Sequence, residues 1–240
     1  MTYGMRYYIT GTDTEAGKTV VTGLLSRYLA EKGVRVVTQK WIQTGADEGG
    51  DDLLRHIELM GKKKEDFEEY SGDMIPYTFR RPVSPHLAAR TEKRSIETEN
   101  IIESYKRLSC SFDAVLVESS GGLLVPYDER SLMIDIARKL SIPAVIVSAN
   151  RLGAINHTLM TIECLRNRDM NIAGVIFNNV SPKKNDRLLK EDNIDIIEKL
   201  SGVRILGSIP YEDEPEKLFA AIEPAARKLF EQEGEHEQTG

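Results

Sequence analysis

The sequence has few cysteines, no long apolar run and no excess of basic charge, and each shortage removes a class of function. Only two cysteines occur in 240 residues, Cys110 and Cys164. They stand far apart and without metal-ligand spacing. That excludes a disulfide framework and a cysteine-built zinc site, and predicts two small buried thiols in a reducing compartment. Nothing approaches the ~18 consecutive apolar residues of a bilayer-spanning helix. The opening MTYGMRYYITGTD lacks the apolar stretch and small-residue cleavage site of a secretory leader, so a cytoplasmic location is expected. Lysine and arginine number 32 against 38 aspartate and glutamate, a formal charge of −6 and a pI of about 5.4. Neither a nucleic-acid partner nor a membrane surface is expected of that balance. His86 and His157 have no second ligand at zinc spacing, and are expected to be structural or peripheral.

What is present is a soluble globular composition, 40% hydrophobic and 29% charged, with enough apolar side chains for a sizeable core. Six short runs rich in Val, Ile and aromatics recur: MRYYIT (5–10), VRVVTQ (34–39), DAVLVE (113–118), PAVIVS (143–148), IAGVIF (172–177) and VRILGSI (203–209). Several are nearly continuous in apolar character, as strands are when helices cover both faces of a parallel sheet. Helical spacing lies between most of them. Val20, Val21, Leu24, Leu25, Tyr28 and Leu29 make one apolar face, with Gly33 as a stop signal, and Leu132, Ile136, Ala137 and Leu140 make another. The fold class expected is α/β, three layers, with a mostly parallel central sheet and helices on both faces. Residues 1–232 read as one domain. The stretch 41–100, rich in Gly and Pro yet with helical patterns at Asp51–Met60 and Glu97–Leu108, reads as an insertion beside the active face. Residues 233–240 read as a disordered tail.

The strongest local signal is YYITGTDTEAGKTVVTGLL, in which a strand runs into Gly11-Thr12-Asp13-Thr14-Glu15-Ala16-Gly17-Lys18-Thr19 and a helix follows at once. A loop wrapped around a polyphosphate supplies backbone N–H groups, and the helix N-terminus adds its positive dipole end. Gly17 permits close backbone approach. Lys18 can reach the β- and γ-phosphates, and the Thr19 hydroxyl can ligate Mg²⁺. Five residues separate Gly11 from Gly17, where the common pattern has four, so this is a variant loop in a P-loop NTPase-like fold.

Ligands of open α/β sheets sit at the carboxyl ends of the strands. The second strand ends at Gln39-Lys40, and a lysine there can hold negative charge developing on a transferring phosphoryl group; a solvated strand-end lysine is an equal reading of that residue alone. The third ends at Val117-Glu118, where many P-loop enzymes place an acid on the metal. Asp51 and Asp52 open a helix after Gly49-Gly50. We assign Asp51 to the cap and Asp52 to the metal. The fifth ends at Asn178-Asn179, whose amides offer the donor and acceptor that an adenine edge requires, although Asn is also a common turn residue.

Taken together these stretches resemble the dethiobiotin synthetase family of ATP-dependent enzymes. The resemblance is carried by GTDTEAGKT (11–19), QKWIQTG (39–45), PYTFRRPVSPH (76–86), VESSGGLLVP (117–126), RLGAINHTLMTIE (151–163), IFNNVSP (176–182) and GSIPYEDEPE (207–216), in family order over most of the chain. It implies a homodimer acting on ATP, CO₂ or bicarbonate, and 7,8-diaminopelargonate. It also implies roles for the matching positions. Thr14, Glu15, Ala16, Gly17, Lys18, Thr19 and Val20 bind the phosphates; Thr19, Asp52 and Glu118 hold Mg²⁺. Lys40 and Lys18 are catalytic, and Lys40 and Thr44 hold the substrate carbamate. Ser119, Ser120 and Gly121 line the nucleotide, and Asn178, Asn179, Pro210, Tyr211, Glu212 and Glu216 form the base pocket.

The chain departs from the family pattern in three places. Trp41 follows Lys40 where the family has proline. Ser119-Ser120 replaces Gly-Ala, adding a Cβ where ligand contacts are expected. The segment 183–200 shows no clear match to the partner-subunit residue that contacts the substrate carboxylate. Three other readings are compatible with the motifs: a related amidating ligase, for whose extra glutaminase domain and nucleophilic cysteine this chain has neither the length nor the context; a divergent paralogue with another amine or carboxylate substrate; and a partitioning-type ATPase switch. Phosphate release that depends on the diamine separates the synthetase from the switch.

Overall fold

The computed structural model describes residues 4–46, 51–181 and 187–231. The chain begins β1 (Met5–Gly11), α1 (Lys18–Glu31), β2 (Val36–Lys40), β3 (Ile42–Thr44) and α2 (Asp51–Leu59). A 3-10 turn (Lys64–Tyr70), α3 (Ser71–Met74), β4 (Tyr77–Phe79), α4 (Pro85–Thr91) and α5 (Thr98–Ser111) follow. Then come β5 (Ala114–Gly122), α6 (Met133–Lys139), β6 (Ala144–Ala149) and α7 (Ala154–Arg166). The last elements are β7 (Ile172–Asn178), α8 (Arg187–Ser201), β8 (Ile205–Ile209) and α9 (Pro215–Phe230).

All six expected strands form, and they make one parallel sheet in the order β2-β5-β1-β6-β7-β8. Helices lie on both sides, as expected. Along β5, Val115, Leu116, Val117 and Glu118 are all at most 1% exposed. Successive side chains point to opposite faces, so both faces of that strand are covered. The order reverses around β1, with β5 and β2 on one side and β6 on the other. That reversal is where open α/β sheets hold ligands.

α1 carries its apolar stripe as expected and ends where the sequence signals. Gly33 adopts φ +79°, the N–H of Val34 reaches back to the Leu29 carbonyl (3.1 Å), and that of Gly33 to Ala30 (3.0 Å). A left-handed residue just past the helix is the usual glycine stop.

The sequence pattern missed a second, two-stranded parallel sheet of β3 and β4, with Ile42 opposite Tyr77 and Thr44 opposite Phe79. Three-residue strands carry too few positions for a period to show. Gly45 follows at φ +77°, packed so close to Pro82 that a Cβ would come within 2.9 Å of its side chain. This small sheet ties 41–46 to 77–82, so the insertion is anchored beside the end of β2.

The expected burial of the two thiols is not met. Cys110 is exposed and Cys164 half-buried, and both are free. The inward stripe of α5 is Ile101, Ser104, Tyr105 and Leu108; Cys110 lies two positions beyond Leu108, roughly 200° round the helix. Asp51 stands as the first residue of α2 instead of the cap before it. The expected tail 233–240, Gly49-Gly50 and Pro182 lie outside the described residues. Among the described residues no helix is long and apolar enough to cross a membrane.

Candidate active site

The loop from β1 to α1 is shaped by contacts from β7, from α1 and from Arg151. Gly17 sits at φ +90° directly before α1, and among the described residues no side chain caps the helix. The first N–H groups of α1 are therefore left for a ligand. Asn178, at the end of β7, donates from Nδ2 to the Ala16 carbonyl (3.0 Å). A Cβ on residue 17 would meet that amide nitrogen at 2.0 Å, so glycine is needed for both conformation and space. Lys18 is 3% exposed and bends back to donate to the carbonyls of Asp13 (3.0 Å) and Thr14 (3.1 Å). Asp13 is paired with Arg151 at 2.9 Å.

Beside the loop, four predicted residues converge. In the parallel pairing of β2 with β5, Lys40 is the register partner of Glu118. The Lys40 ammonium lies 2.5 Å from Asp52 Oδ2 and 2.7 Å from Glu118 Oε1. Thr19 donates across the same acids, its Oγ1 3.2 Å from Asp52 Oδ1 and 3.2 Å from Glu118 Oε1. His56 joins them, with Nε2 2.6 Å from Glu118 Oε2 and the residue fully buried. Sequence reasoning passed over His56. The available signal was its spacing: on α2 it follows Asp52 by four positions, which places the two on one face.

Burial alone would push the Glu118 carboxyl up, but the Lys40 ammonium and the His56 contact outweigh it and hold Glu118 well below the usual carboxylate range. For Lys40, burial acts downward and is outweighed by Glu118 and Asp52, so its ammonium is held above the ordinary lysine value. Lys18 has no such neutralising pair. Burial, with Lys40 acting in the same direction, pulls it down to about 8 against the opposing pull of Glu118. The cluster thus balances two ammoniums against two carboxylates, and a polyphosphate entering it requires further positive charge. Thr19, Asp52 and Glu118 offer three oxygens to a divalent cation, which suits an ion that takes few protein ligands and completes its shell with phosphates and water. Among the described residues no group of three His, Cys, Asp or Glu side chains forms a self-sufficient metal cage.

The remaining predicted residues are less tightly gathered. Thr44 ends β3, half-buried. Trp41, the departure after Lys40, is buried in the core, stacked on Tyr8 with centroids 5.3 Å apart and donating to Gln39 Oε1 (2.9 Å). Ser119 donates to the Gly121 carbonyl (3.2 Å), and Ser120 donates to the Ile42 carbonyl. The two extra hydroxyls are thus turned into the protein's own hydrogen bonds. Asn179 donates to the Ile209 carbonyl (2.8 Å) and to Ser208 Oγ (3.3 Å), and its buried Oδ1 has no partner among the described residues. Pro210 and Tyr211 are exposed. Backbone N–H groups of Asp213 and Glu214 bond the Glu212 carboxylate and hold it below its ordinary range. Glu216 stands at the start of α9 in a bidentate pair with Arg27 of α1, both contacts 2.8 Å.

This geometry agrees with what known proteins resemble the chain. A family model described as an AAA domain matches residues 5–217. The MinD cell division protein of Aquifex aeolicus superposes over 94% of this chain and 96% of its own at a TM-score of 0.57 and 19% identity. The septum site-determining protein MinD of Pyrococcus horikoshii, solved with Mg-ADP, does so over 96% and 97% at 0.58 and 15%. At such identities these likenesses show the fold alone, and with the loop they define a P-loop NTPase-like AAA domain. Closer relatives narrow the class. The ATP-dependent dethiobiotin synthetase BioD 2 of Haemophilus influenzae is 40% identical over 190 residues, 79% of this chain and 98% of that protein. The BioD synthetase of Halalkalibacterium halodurans is 36% identical over 216 residues, 89% and 88%. That of Chlorobaculum tepidum is 45% identical over 170 residues, 71% of each. The chain belongs to the ATP-dependent dethiobiotin synthetase family.

Proposed function

We propose that this chain joins CO₂ to 7,8-diaminopelargonate and closes the ring to dethiobiotin, consuming ATP and releasing ADP and phosphate. The observation that carries the reading is the Lys40 ammonium, seated between Asp52 and Glu118 beside Thr19 and the Gly17 loop. In the proposed sequence one substrate amine adds to CO₂ and loses a proton, giving a carbamate. A carbamate oxygen attacks the γ-phosphorus, ADP leaves, and a carbamic–phosphoric anhydride forms. The second amine attacks the carbamoyl carbon, phosphate leaves, and the five-membered urea closes.

Such a transfer demands positioning and charge stabilisation more than covalent chemistry. The N–H groups of 14–20 would cradle the phosphates, and Lys18 would exchange its two loop carbonyls for phosphate oxygens. Lys40 would face the carbamate oxygen and the migrating phosphoryl group, with Thr44 on the substrate side. Thr19, Asp52 and Glu118 would hold Mg²⁺, which when bound neutralises and aligns the phosphoryl oxygens. Ser119, Ser120 and Gly121 would flank the nucleotide. For the base, the unpaired acceptor of Asn179 suits the adenine amino group, and Tyr211 offers an exposed ring; Asn178, Pro210, Glu212 and Glu216 would complete that end. The working unit we propose is a cytoplasmic homodimer. Residues 1–232 would form one domain, in keeping with a single cluster of buried apolar side chains from Tyr7 to Leu229.

The test is phosphate release with ATP, Mg²⁺ and bicarbonate, with and without 7,8-diaminopelargonate, and mass spectrometry for the cyclic urea. Release strictly dependent on the diamine, with dethiobiotin formed, is the expected result. Hydrolysis indifferent to the diamine overturns the proposal, and a different accepted amine moves it to a paralogous substrate.

A further inference from the structure

We infer that His56 is a positioning residue that fixes how the Glu118 carboxylate faces the nucleotide site. The two carboxylate oxygens are divided between different tasks. Oε1 is shared by Lys40 (2.7 Å) and Thr19 (3.2 Å), while Oε2 goes to His56 Nε2 alone at 2.6 Å. An ionised carboxylate only accepts, so the donor is the Nε2–H of the ring. His56 Nδ1 has no hydrogen-bond partner among the described residues, which makes Glu118 the one polar tie the ring has.

The lock occupies Oε2 and leaves Oε1 as the single oxygen turned toward Thr19 and the phosphate loop. Without it, the carboxylate is free to rotate about its terminal bond and bind Lys40 through both oxygens. α2 therefore grips the site twice, through Asp52 on Lys40 and through His56 on Glu118. Groups that bond to a metal-holding side chain from behind set its orientation and commonly change metal affinity 10–100-fold. The inference rests on the proposed metal-holding role of Glu118.

The experiment is calorimetric titration of the full chain with ADP, with and without Mg²⁺, for the wild type, His56→Leu and His56→Gln. Glutamine carries an amide N–H at nearly the reach of Nε2, whereas leucine fills the space without a donor. In His56→Leu the gain in ADP affinity conferred by Mg²⁺ should shrink about tenfold or more, and His56→Gln should restore it to within about twofold of wild type. ADP affinity without Mg²⁺ should be unchanged in both. A leucine variant with the wild-type Mg²⁺ gain overturns the inference, as does a glutamine variant as impaired as leucine, which would make His56 mere packing. If the wild type itself shows no Mg²⁺ gain, the metal role of Glu118 falls and takes the inference with it, a result distinct from the other two. Should His56→Leu fail to fold, nitrogen-15 NMR of the wild-type imidazoles decides, since only four histidines are present. A hydrogen-bonded Nε2–H on His56 supports the inference, and an Nδ1–H tautomer overturns it.

Discussion

The proposed phosphate end and base end of the site are built on different physical terms. At the first, Lys18, Lys40, Glu118 and His56 are 3%, 5%, 1% and 0% exposed; Lys40 is paired with Glu118 and Asp52, His56 bonds Glu118, and Lys18 donates to loop carbonyls. At the second, Tyr211 is 50% exposed and the Glu216 side chain 78% exposed. Charges taken out of water must be paired in fixed geometry, because a buried partner left alone costs several kcal/mol. Solvated groups carry no such constraint. The comparison teaches that, on the proposed function, the reacting groups are fixed by buried pairing while the base would meet a more solvated surface.

The contrast breaks most sharply at Lys40. Lys40→Gln should lower the rate of dethiobiotin formation ~100-fold or more, the scale for loss of one positioned donor, while ADP affinity changes far less. Full turnover in that variant removes Lys40 from the mechanism. Gly17→Ala should come next. The left-handed conformation costs a residue with a Cβ ~1–2 kcal/mol, and the new methyl meets Asn178 Nδ2. ADP affinity by calorimetry should fall about tenfold. Measured against Asn178→Ala alone, Gly17→Ala should cost less than it does in the wild type, because the clash is gone and only the φ angle remains.

A subtler effect is expected from pH. Lys18 is pulled down to about 8 from an ordinary value of 10.5. Between those values the unfolded chain binds more protons than the folded one, so the ligand-free protein should gain stability as pH rises through that window. Affinity for ADP without Mg²⁺ should move the other way, falling past about 8 as the ammonium that meets the phosphates is lost. ADP titrations at about pH 7 and about pH 9 should show proton uptake at the higher value, and Lys18→Gln should abolish it. The smallest change belongs to the base end. Asn179→Ala should weaken ADP by ~1 kcal/mol, about fivefold, and narrow its preference over GDP, while pyrophosphate binding stays as it was.

The phosphate end was largely legible in the sequence because its parts follow strands. A buried parallel strand announces itself as an apolar run, so Lys18, Thr19, Lys40 and Glu118 could be placed by counting from strand ends. Asp52 could be placed because a helix start is readable. His56 was legible only as a residue on the Asp52 face of α2, four positions on; its bond to Glu118 was not, because that partner lies 62 positions away. Nor was the small β3–β4 sheet, whose strands are too short to show alternation. The role of Asn178 was only half visible. Its position at a strand end could be read, but its brace on Ala16 depends on β7 lying across the sheet from the loop.

The register of β2 against β5 has one further consequence. Lys40 and Glu118 oppose each other because residues 36–40 run level with 114–118, and side chains on neighbouring strands at matched positions share a face. A single residue added to or removed from β2 would send Lys40 through to the opposite side of the sheet. The ammonium would then be walled off from both acids by a layer of backbone. On the proposed function the spacing of this strand therefore matters to the site as much as the lysine itself, and no change of side chain could compensate for a change in its length.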